Sequence, residues 1–273
     1  MSRPRAVPEW VRGFGAALRF LTRVPVPVIP SSRDARGRET GPQRDWDAFL
    51  RRPYTMVLVG WLVGVLLVIP LGVGVTLGLT SATIAFATLV VVYLVTGIHH
   101  LDGVADLGDA MVVHGDAARR RAVLTDTTTG VGALLAVVGV VVGLSLALLS
   151  LASAPLVVAV AVVLAAEVGA KTGMALMSCF GRAAHEGLGS QLTSAVDPSH
   201  AVLPVAIAIP VTLLAWPHPA AMATFVGALI GVGLPWLWAR RHLEGVSGDI
   251  FGAANEIGRL LGLHAGVIVW TLW

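Results

Sequence analysis

Long apolar stretches separated by polar connections make up most of the chain after residue 54. A bilayer core about 30 Å thick is crossed by about 20 apolar residues of α-helix, so these stretches predict transmembrane helices. We expect an all-α integral membrane protein, a bundle of about seven transmembrane helices. The predicted spans are 55–79, 82–98, 130–151, 155–180, 201–216, 219–239 and 258–273, of which the fifth and the last are short.

The first 54 residues are polar and rich in arginine, unlike the rest of the chain. Glu9–Thr22 places apolar and basic residues at helical spacing, which predicts an N-terminal amphipathic helix on the membrane surface. The proline-rich Val24–Pro30 cannot be helical, and 31–47 predicts a polar loop. No apolar core precedes a small-residue cleavage site, so a cleavable signal is not indicated. We therefore expect a cytoplasmic N-terminal segment, 1–54, and a membrane catalytic domain, 55–273.

The distribution of charge predicts the orientation of the bundle. Only 13% of the residues are charged, whereas soluble proteins carry about 25%. The connections at 80–81, 152–154 and 217–218 hold no arginine or lysine. Nearly all positive charge lies in the longer segments 1–54, 99–129, 181–200 and 240–257. The positive-inside rule puts the N-terminus and these segments in the cytoplasm.

The net charge of +3 could indicate a nucleic-acid partner, but its placement does not. Eleven of the 18 arginines precede residue 55, and neither an RNA-binding aromatic motif nor zinc-finger spacing is present. We expect membrane lipid as a partner and no nucleic acid. The single cysteine, Cys179, excludes an intramolecular disulfide and a cysteine-based zinc cluster, and we expect it to be a packing residue.

Three aspartates recur at helical spacing after the second predicted span. At about 100° per residue, Asp102, Asp106 and Asp109 share one helix face, where like charges weaken a helix. No lysine or arginine lies between residues 53 and 118 to offset them. Carboxylate oxygens suit Mg²⁺ and Mn²⁺, so the pattern predicts a divalent metal site, with Mg²⁺ expected. The alternative is a solvated helix end whose acids serve only solubility.

The segment after this aspartate stripe combines acidic and basic residues. Asp116 is placed as the N-cap of a short helix at 117–125. Arg119, Arg120 and Arg121 are either positive-inside anchors or phosphate ligands that face the aspartates. Asp126 precedes a threonine- and glycine-rich helix start, which can complete a metal site or present backbone N–H groups to phosphate.

Charged residues also occur in the C-terminal half of the chain. Glu167 and Lys171 lie four residues apart in the order that favours pairing, and the cost of ions in lipid predicts that they face the bundle interior. Lys171 then belongs to a structural pair or reaches substrate phosphates. Ser247-Gly248-Asp249 has the pattern of an N-cap, which would account for Asp249, whereas Glu256 is harder to assign to a structural role.

Five separate segments together resemble the cobalamin synthase family, the adenosylcobinamide-GDP ribazoletransferases. They are Phe20–Pro27, His100–Asp109, Asp126 with Gly130, His185–Gly189 and Gly245–Glu256. Each segment alone is a weak signal, but their order and spacing together are specific. The resemblance implies a Mg²⁺-dependent membrane transferase of adenosylcobalamin biosynthesis. Such an enzyme joins α-ribazole, or its 5′-phosphate, to adenosylcobinamide-GDP and releases GMP.

The resemblance also implies roles for individual residues. Asp126 joins Asp102, Asp106 and Asp109 as a fourth metal ligand, and Asp109 or Asp126 accepts the proton of the attacking ribose hydroxyl. The expected substrate-binding residues are His100, Arg119, Arg120, Lys171, His185, Glu186, Gly187, Gly189, Asp249, Asn255 and Glu256.

One departure from the family's pattern concerns positive charge. Thr125, Thr127 and Thr128 stand where family members often carry a basic residue and a Ser-Arg pair. Cations for the diphosphate must then come from elsewhere, such as Arg119–Arg121 or Lys171. The acceptor's phosphorylation state, the base of the lower ligand and the assembly of several copies into a homo-oligomer are left open.

Two rival classes are compatible with an acidic cluster in a membrane protein. A CDP-alcohol phosphotransferase would share the metal chemistry, but its signature has an arginine after the alanine, whereas Asp106 follows Ala105 here. A membrane transporter would need a midplane site formed by paired broken helices. The charged groups of this chain instead gather in one set of connections.

Overall fold

Helices account for nearly all of the structure, a computed structural model that describes residues 7–27, 32–33 and 39–273. They are α1 (Glu9–Leu21), α2 (Pro42–Leu50), α3 (Tyr54–Thr76), α4 (Ser81–Thr96), α5 (His99–Val112), α6 (Ala117–Leu124), α7 (Val131–Leu151), α8 (Leu156–Phe180), α9 (Leu188–Ser194), α10 (Val202–Ala208), α11 (Ala220–His242) and α12 (Gly248–Leu272). Short 3₁₀ segments at Pro198–Ala201 and Ile209–Leu213 flank α10. Two strands of two residues each, β1 (Ser32–Arg33) and β2 (Glu39–Thr40), pair antiparallel.

The apolar helices confirm an all-α, multi-pass membrane protein. Helices α3, α7, α8 and α11 are each long and apolar enough to cross a bilayer, and counting two bent helix pairs as spans raises the total from four to six. Every predicted span coincides with a helix, but the fifth becomes 3₁₀ helix at Ile209. Helix α12 begins ten residues before the predicted 258. The apolar pattern did not indicate this first half because it contains charged residues, which are packed inside the protein.

Helix α8 forms the centre of the bundle, and nearly all of its residues from Val158 to Cys179 are buried. A Cβ at Gly60 of α3 would lie 2.9 Å from the carbonyl oxygen of Glu167 in α8. A Cβ at Gly231 of α11 would lie 2.8 Å from the Cα of Gly258 in α12. Small residues of this kind allow helices to approach closely in a membrane, where packing rather than water exclusion drives their association.

The two N-terminal helices pack into the same apolar core as the spans. Helix α1 at Glu9–Leu21 confirms the predicted amphipathic helix. Leu21 of α1 and Phe49 of α2 are fully buried in that core. The apolar face of α1 therefore contacts protein, and the division of the chain at residue 54 stays a prediction.

The expectation of a polar loop over 31–47 is wrong for residues 42–47, which belong to α2. Asp45 lies fully buried in that helix, 2.9 Å from Arg12 and 2.9 Å from Arg19 of α1. A helix that contains a buried acid can pack here because arginines of α1 compensate the charge of Asp45. Residues 28–31 and 34–38 of the predicted non-helical stretch and loop lie outside the described part of the chain.

A sharp turn between α4 and α5 carries the aspartate stripe away from the apolar spans. The two helices meet at 94°. Gly97 lies at the corner with φ +71°, a conformation that glycine adopts without strain. The Arg23 N–H donates to the Val95 carbonyl oxygen at 2.6 Å and ties the chain after α1 to this corner. Helix α5 consequently runs nearly at right angles to α4, beyond the end of the predicted span 82–98.

The long polar segments meet at one end of the bundle, which we call the charged face. Trp46 of α2 donates to Gln191 of α9 at 2.8 Å. Arg121 of α6 donates to Glu244, after α11, at 2.8 Å. The backbones of Ala183 and Val246 form a parallel bridge between the connections after α8 and α11. Segments that are far apart in sequence therefore form one continuous surface.

The short connections meet at the other end. Ser81 and Ser153, which flank the α3–α4 and α7–α8 connections, share a hydrogen bond at 2.9 Å. The His218 ring, before α11, lies 6.2 Å from the ring of the C-terminal Trp273. The two kinds of connection distinguished by their charge thus occupy opposite ends of the bundle.

Candidate active site

A cavity of about 610 Å³ opens on the charged face. The end of α1, the start of α5, the loop before α9 and the start of α12 form most of its wall. The residues that line it are Arg19, Phe20, His99, His100, Asp102, Met174, His185, Leu188, Ser247, Gly248, Asp249, Phe251 and Gly252. Four of the five segments that carry the family resemblance contribute to this wall.

Glycines allow the walls of the cavity to approach each other. A Cβ at Gly103 would collide with the backbone of Asp249. A Cβ at Gly252 would lie 3.2 Å from the Cα of His100. A Cβ at Gly189 would lie 2.9 Å from the Cα of Ser247. The starts of α5, α9 and α12 can therefore surround one site only because these positions lack a side chain.

The aspartate stripe lies beside a fourth acid from α12. Asp102 is exposed on the cavity wall, and Asp106 and Asp109 are half-buried further along α5. Burial, together with the charges of Asp102, Asp249 and Asp109, raises the pKa of Asp106 to about 7. Within the described residues, no three His, Cys, Asp or Glu side chains are arranged to hold a metal ion as they stand. The site is a group of mutually repelling acids.

Asp109 caps the N-terminus of another helix. Its two carboxylate oxygens accept hydrogen bonds from the Gly130 N–H at 2.7 Å and the Ala133 N–H at 2.8 Å, at the start of α7. A carboxylate is stabilised there by the unpaired N–H groups and the positive end of the helix dipole. Gly130, one of the family-like positions, therefore orients Asp109.

Asp126 is exposed and lies at the turn before α7. Its Oδ1 accepts from the backbone N–H and the hydroxyl of Thr128, both at 2.9 Å, and these bonds lower the pKa of Asp126. The acids whose charges shift the pKa of Asp106 do not include Asp126. The structure therefore connects the Asp126 segment to the stripe through Gly130 and Asp109, and the role of Asp126 as a metal ligand stays a prediction.

The arginines of α6 hold secondary structure together. Asp116 accepts from the Arg119 N–H at 2.9 Å, which confirms it as the N-cap of α6. Arg120 donates to the Ala110 carbonyl oxygen at 2.8 Å and lies over the Trp238 ring at 5.8 Å. Arg121 pairs with Glu244 at 2.8 Å. The Arg119 side chain is exposed. None of these guanidinium groups lines the cavity among the described residues.

Glu167 and Lys171 form the predicted pair and face the bundle interior. Lys171 Nζ lies 2.6 Å from Glu167 Oε2, and both side chains are fully buried. Arg259 of α12 donates to Glu167 and also to Glu256, at 2.6 Å. Two acids and two bases thus form a neutral buried network. Lys171 and Glu256 do not reach the cavity wall, so this geometry does not favour their expected direct contact with substrate.

Asn255 links the buried network to the cavity. Its amide donates to Glu256 Oε1 at 3.0 Å and lies 3.1 Å from His100 Nδ1. Because a carboxylate only accepts hydrogen bonds, the amide nitrogen faces Glu256 and donates its second hydrogen to Nδ1. His100 is therefore a neutral imidazole with its hydrogen on Nε2. Asn255 itself is fully buried and orients His100, and its contact with substrate stays a prediction.

Sequence reasoning missed Arg259, although a signal was present. An arginine at the start of an apolar span, three residues after Glu256, is costly unless it is paired. That cost, together with the i,i+3 spacing, predicts an ion pair within the helix. Its second partner, Glu167, lies 92 residues away in sequence and is visible only in the folded chain.

The loop between α8 and α9 presents His185 at the cavity. His185 is exposed, and its Nδ1 lies 2.8 Å from the Glu186 carbonyl oxygen. Gly187 has φ +152°, which favours glycine, and Gly189 packs under Ser247. The loop therefore shapes the wall mainly through its backbone, while His185 is the polar side chain that it offers.

Asp249 is not explained by helix capping. Ser247 precedes the first residue of α12 but makes no side-chain capping bond. Its hydroxyl instead donates to Asp249 Oδ2 at 3.1 Å. Asp249 lines the cavity and its charge raises the pKa of Asp106. The structure thus brings Asp249 together with the aspartate stripe.

Known proteins resemble the chain over most of its length. A family model described as cobalamin-5-phosphate synthase matches residues 13–267. An adenosylcobinamide-GDP ribazoletransferase of Halobacterium salinarum is 54% identical over 71% of this chain and 98% of its own length. The proteins of that name from Halorubrum lacusprofundi and Haloquadratum walsbyi are 45% and 39% identical, each over 93% of this chain and 96% of their own length. No solved structure matches significantly.

Proposed function

The chain belongs to the cobalamin-5-phosphate synthase family, and from that membership we propose the reaction of its cavity. The protein is a transferase of cobalamin biosynthesis that transfers the adenosylcobinamide phosphate group of adenosylcobinamide-GDP to α-ribazole or its 5′-phosphate and releases GMP. The observation that supports this most is the meeting of four family-like segments around one acidic cavity. Neither a CDP-alcohol phosphotransferase nor a transporter is favoured by the comparisons.

We propose Mg²⁺ as the cofactor, held by Asp102, Asp106 and Asp109 with Asp126 as the expected fourth ligand. The chemistry of the donor set fits, because Mg²⁺ prefers carboxylate oxygens together with substrate phosphate oxygens. Asp249 adds a further acid beside Asp106. When bound, Mg²⁺ withdraws charge from the diphosphate and stabilises the GMP leaving group.

The protein's own groups orient the reactants and receive the proton. A ribose hydroxyl of α-ribazole attacks the cobinamide-side phosphorus, and the bond from that phosphorus to the GMP oxygen breaks. Of the two expected proton acceptors, Asp109 has both oxygens bonded to the start of α7. Asp126 uses only Oδ1 for Thr128, so we assign the proton to its Oδ2, and the lowered pKa keeps Asp126 ionised before the reaction. His100, with hydrogen on Nε2, can donate to a substrate oxygen.

We place the charged face and the N-terminus in the cytoplasm, and the bundle in the plasma (inner) membrane. The positive-inside rule supports this orientation. The gathering of the arginine-bearing segments at one end is the arrangement that the rule requires. Lipid would then surround the exposed apolar side chains of α3, α4 and α7.

The decisive experiment is turnover by the purified protein in detergent. With adenosylcobinamide-GDP, α-ribazole and Mg²⁺, we expect GMP release, and no release when EDTA replaces Mg²⁺. Asp102→Asn removes one ligand charge and should lower kcat by about 100-fold or more, while the variant still inserts in the membrane. GMP release is measured by chromatography.

Asp47→Asn, an exposed acid of α2, is the matched control and should retain wild-type activity. Near-full activity of Asp102→Asn would contradict the metal assignment. An inactive wild type that turns over a CDP-alcohol would contradict the proposed reaction.

A further inference from the structure

Arg12, Asp45 and Arg19 form an ion cluster with unequal charge beside the cavity. Asp45 Oδ1 lies 2.9 Å from Arg12 Nη1, and Asp45 Oδ2 lies 2.9 Å from Arg19 Nη2. The side chains of Asp45 and Arg12 are 0% and 7% exposed, and that of Arg19 is 26% exposed. One carboxylate serves two guanidinium groups, so within the described part of the chain the cluster carries one uncompensated positive charge. A partly buried charge of this kind is costly unless an anion accompanies it.

The outer member of this cluster faces the cavity. Arg19 is the one arginine or lysine among the lining residues that the structure describes. Asp102 and Asp249 line the same cavity and would repel an anionic substrate. Of the cations expected from the sequence, Arg120 bonds to Ala110 and Lys171 to Glu167. Arg119 is exposed but does not line the cavity.

We propose that the Arg19 guanidinium binds a phosphate oxygen of the diphosphate-bearing substrate. This role rests on the proposed function. Arg19 would supply the positive charge that family members often carry at the positions occupied here by Thr125, Thr127 and Thr128. Asp45 holds Nη2, and among the described residues Nη1 makes only a 3.5 Å contact with the Pro27 carbonyl oxygen. The remaining N–H groups are available to an anion, and guanidinium matches the geometry of phosphate oxygens.

Asp45 and Arg12 act as positioning residues for Arg19. Asp45, itself held in place by Arg12, restricts the Arg19 guanidinium before substrate arrives, which reduces the entropy lost on binding. Next to them, the Phe20, Trp46 and Phe49 rings pack with centroids 5.1–5.6 Å apart and join α1 to α2. The helix that carries Arg19 is therefore fixed against the bundle rather than free at the membrane surface.

The test is steady-state kinetics of Arg19→Gln and Arg19→Lys in detergent. For Arg19→Gln we expect the KM for adenosylcobinamide-GDP to rise about tenfold or more, with an unchanged KM for α-ribazole. The inhibition constant of GMP should rise in parallel. Arg19→Lys should give a smaller rise, because the ammonium keeps the charge but loses the planar fork.

Arg44→Gln is the matched control, since Arg44 pairs with Glu9 at 2.7 Å in the same helix pair and does not line the cavity. It should keep both KM values. Should Arg19→Gln fail to fold, Arg19→Lys decides: an unchanged KM for adenosylcobinamide-GDP overturns the inference. Unchanged constants in both variants, with an active wild type, overturn it while leaving the proposed reaction intact. An inactive wild type would instead overturn the proposed reaction.

Discussion

At the scale of single residues, the aspartates of the stripe repel one another in the folded protein, and the same carboxylates are the proposed metal ligands. Asp106 is surrounded by three other acids, and burial together with their repulsion raises its pKa. Asp109 takes part in the same repulsion, but two N–H groups at the start of α7 donate to its carboxylate and stabilise its charge. Two aspartates of one stripe thus differ in their surroundings, because Asp109 receives N–H donors from the start of α7, whereas Asp106 is surrounded by acids. Asp106 contributes instability that a bound cation would relieve.

Asp106→Asn should raise the stability of the metal-free protein in a pH-dependent way. The pKa of Asp106 is raised from 3.8 to about 7, so between these values the folded protein keeps a proton that the unfolded chain releases. The Asp106 carboxylate therefore destabilises the folded protein increasingly as pH rises through this window, and the effect is complete above about pH 7. After allowance for solvent screening of this half-buried group, we expect a Tm gain of roughly 1–3 °C at pH 8.

Thermal unfolding in detergent at pH 4 and pH 8 measures this gain, which should vanish at the lower pH. Millimolar Mg²⁺ should raise the Tm of the wild type at pH 8 more than that of the variant. Asp47→Asn serves as the control that removes an exposed acid. A Tm gain of equal size at both pH values would contradict the electrostatic explanation.

At the scale of elements, close contacts and one buried network decide how the helices meet. Gly103 lets α5 lie against the start of α12, and Gly97 turns the chain by 94° between α4 and α5. Arg259 joins α12 to α8 through Glu167. The network is balanced in charge, and loss of one member leaves its partners buried and unpaired.

Arg259→Gln should destabilise the protein by about 3–5 kcal/mol, because it leaves Glu167 and Glu256 with only Lys171. Adding Glu256→Gln restores neutrality, so the double variant should be more stable than Arg259→Gln alone. Unfolding in detergent measures both. Arg241→Gln, an exposed arginine of α11, should change stability little. A double variant less stable than Arg259→Gln would show that charge balance is not the cause.

At the scale of the whole molecule, the bundle separates two kinds of surface. One end collects the charged segments, the cavity and the family-like residues. The other end holds short connections such as the pair Ser81 and Ser153. Under the proposed function, the substrates enter from the side of the membrane on which the charged face lies.

Cysteine labelling in cells tests the orientation. In a Cys179→Ser background, a cysteine in place of Ser194 on the charged face should be shielded from a membrane-impermeant maleimide in intact cells. A cysteine in place of Ser153 at the opposite end should react. Both serines are exposed, so accessibility differs only by side of the membrane. The reverse labelling pattern would contradict the cytoplasmic placement.

Local patterns in the sequence determined the helices, the stripe and the buried pair. Apolar stretches long enough to span a bilayer predict α3, α7, α8 and α11, since no other local structure satisfies the backbone in lipid. The spacing of Asp102, Asp106 and Asp109 depends only on helix geometry. The pairing of Glu167 with Lys171 depends on a separation of four residues.

Only the tertiary structure decided which distant residues share the site. Asp249 joins the stripe because Gly103 admits the α12 backbone, and Arg259 reaches Glu167 across 92 residues. Helix α2 forms where a polar loop was expected, because Asp45 finds Arg12 and Arg19. A local pattern records the spacing along one element, whereas charge compensation and close approach depend on which elements meet. The aspartate stripe was therefore predictable from sequence, and its neighbours were not.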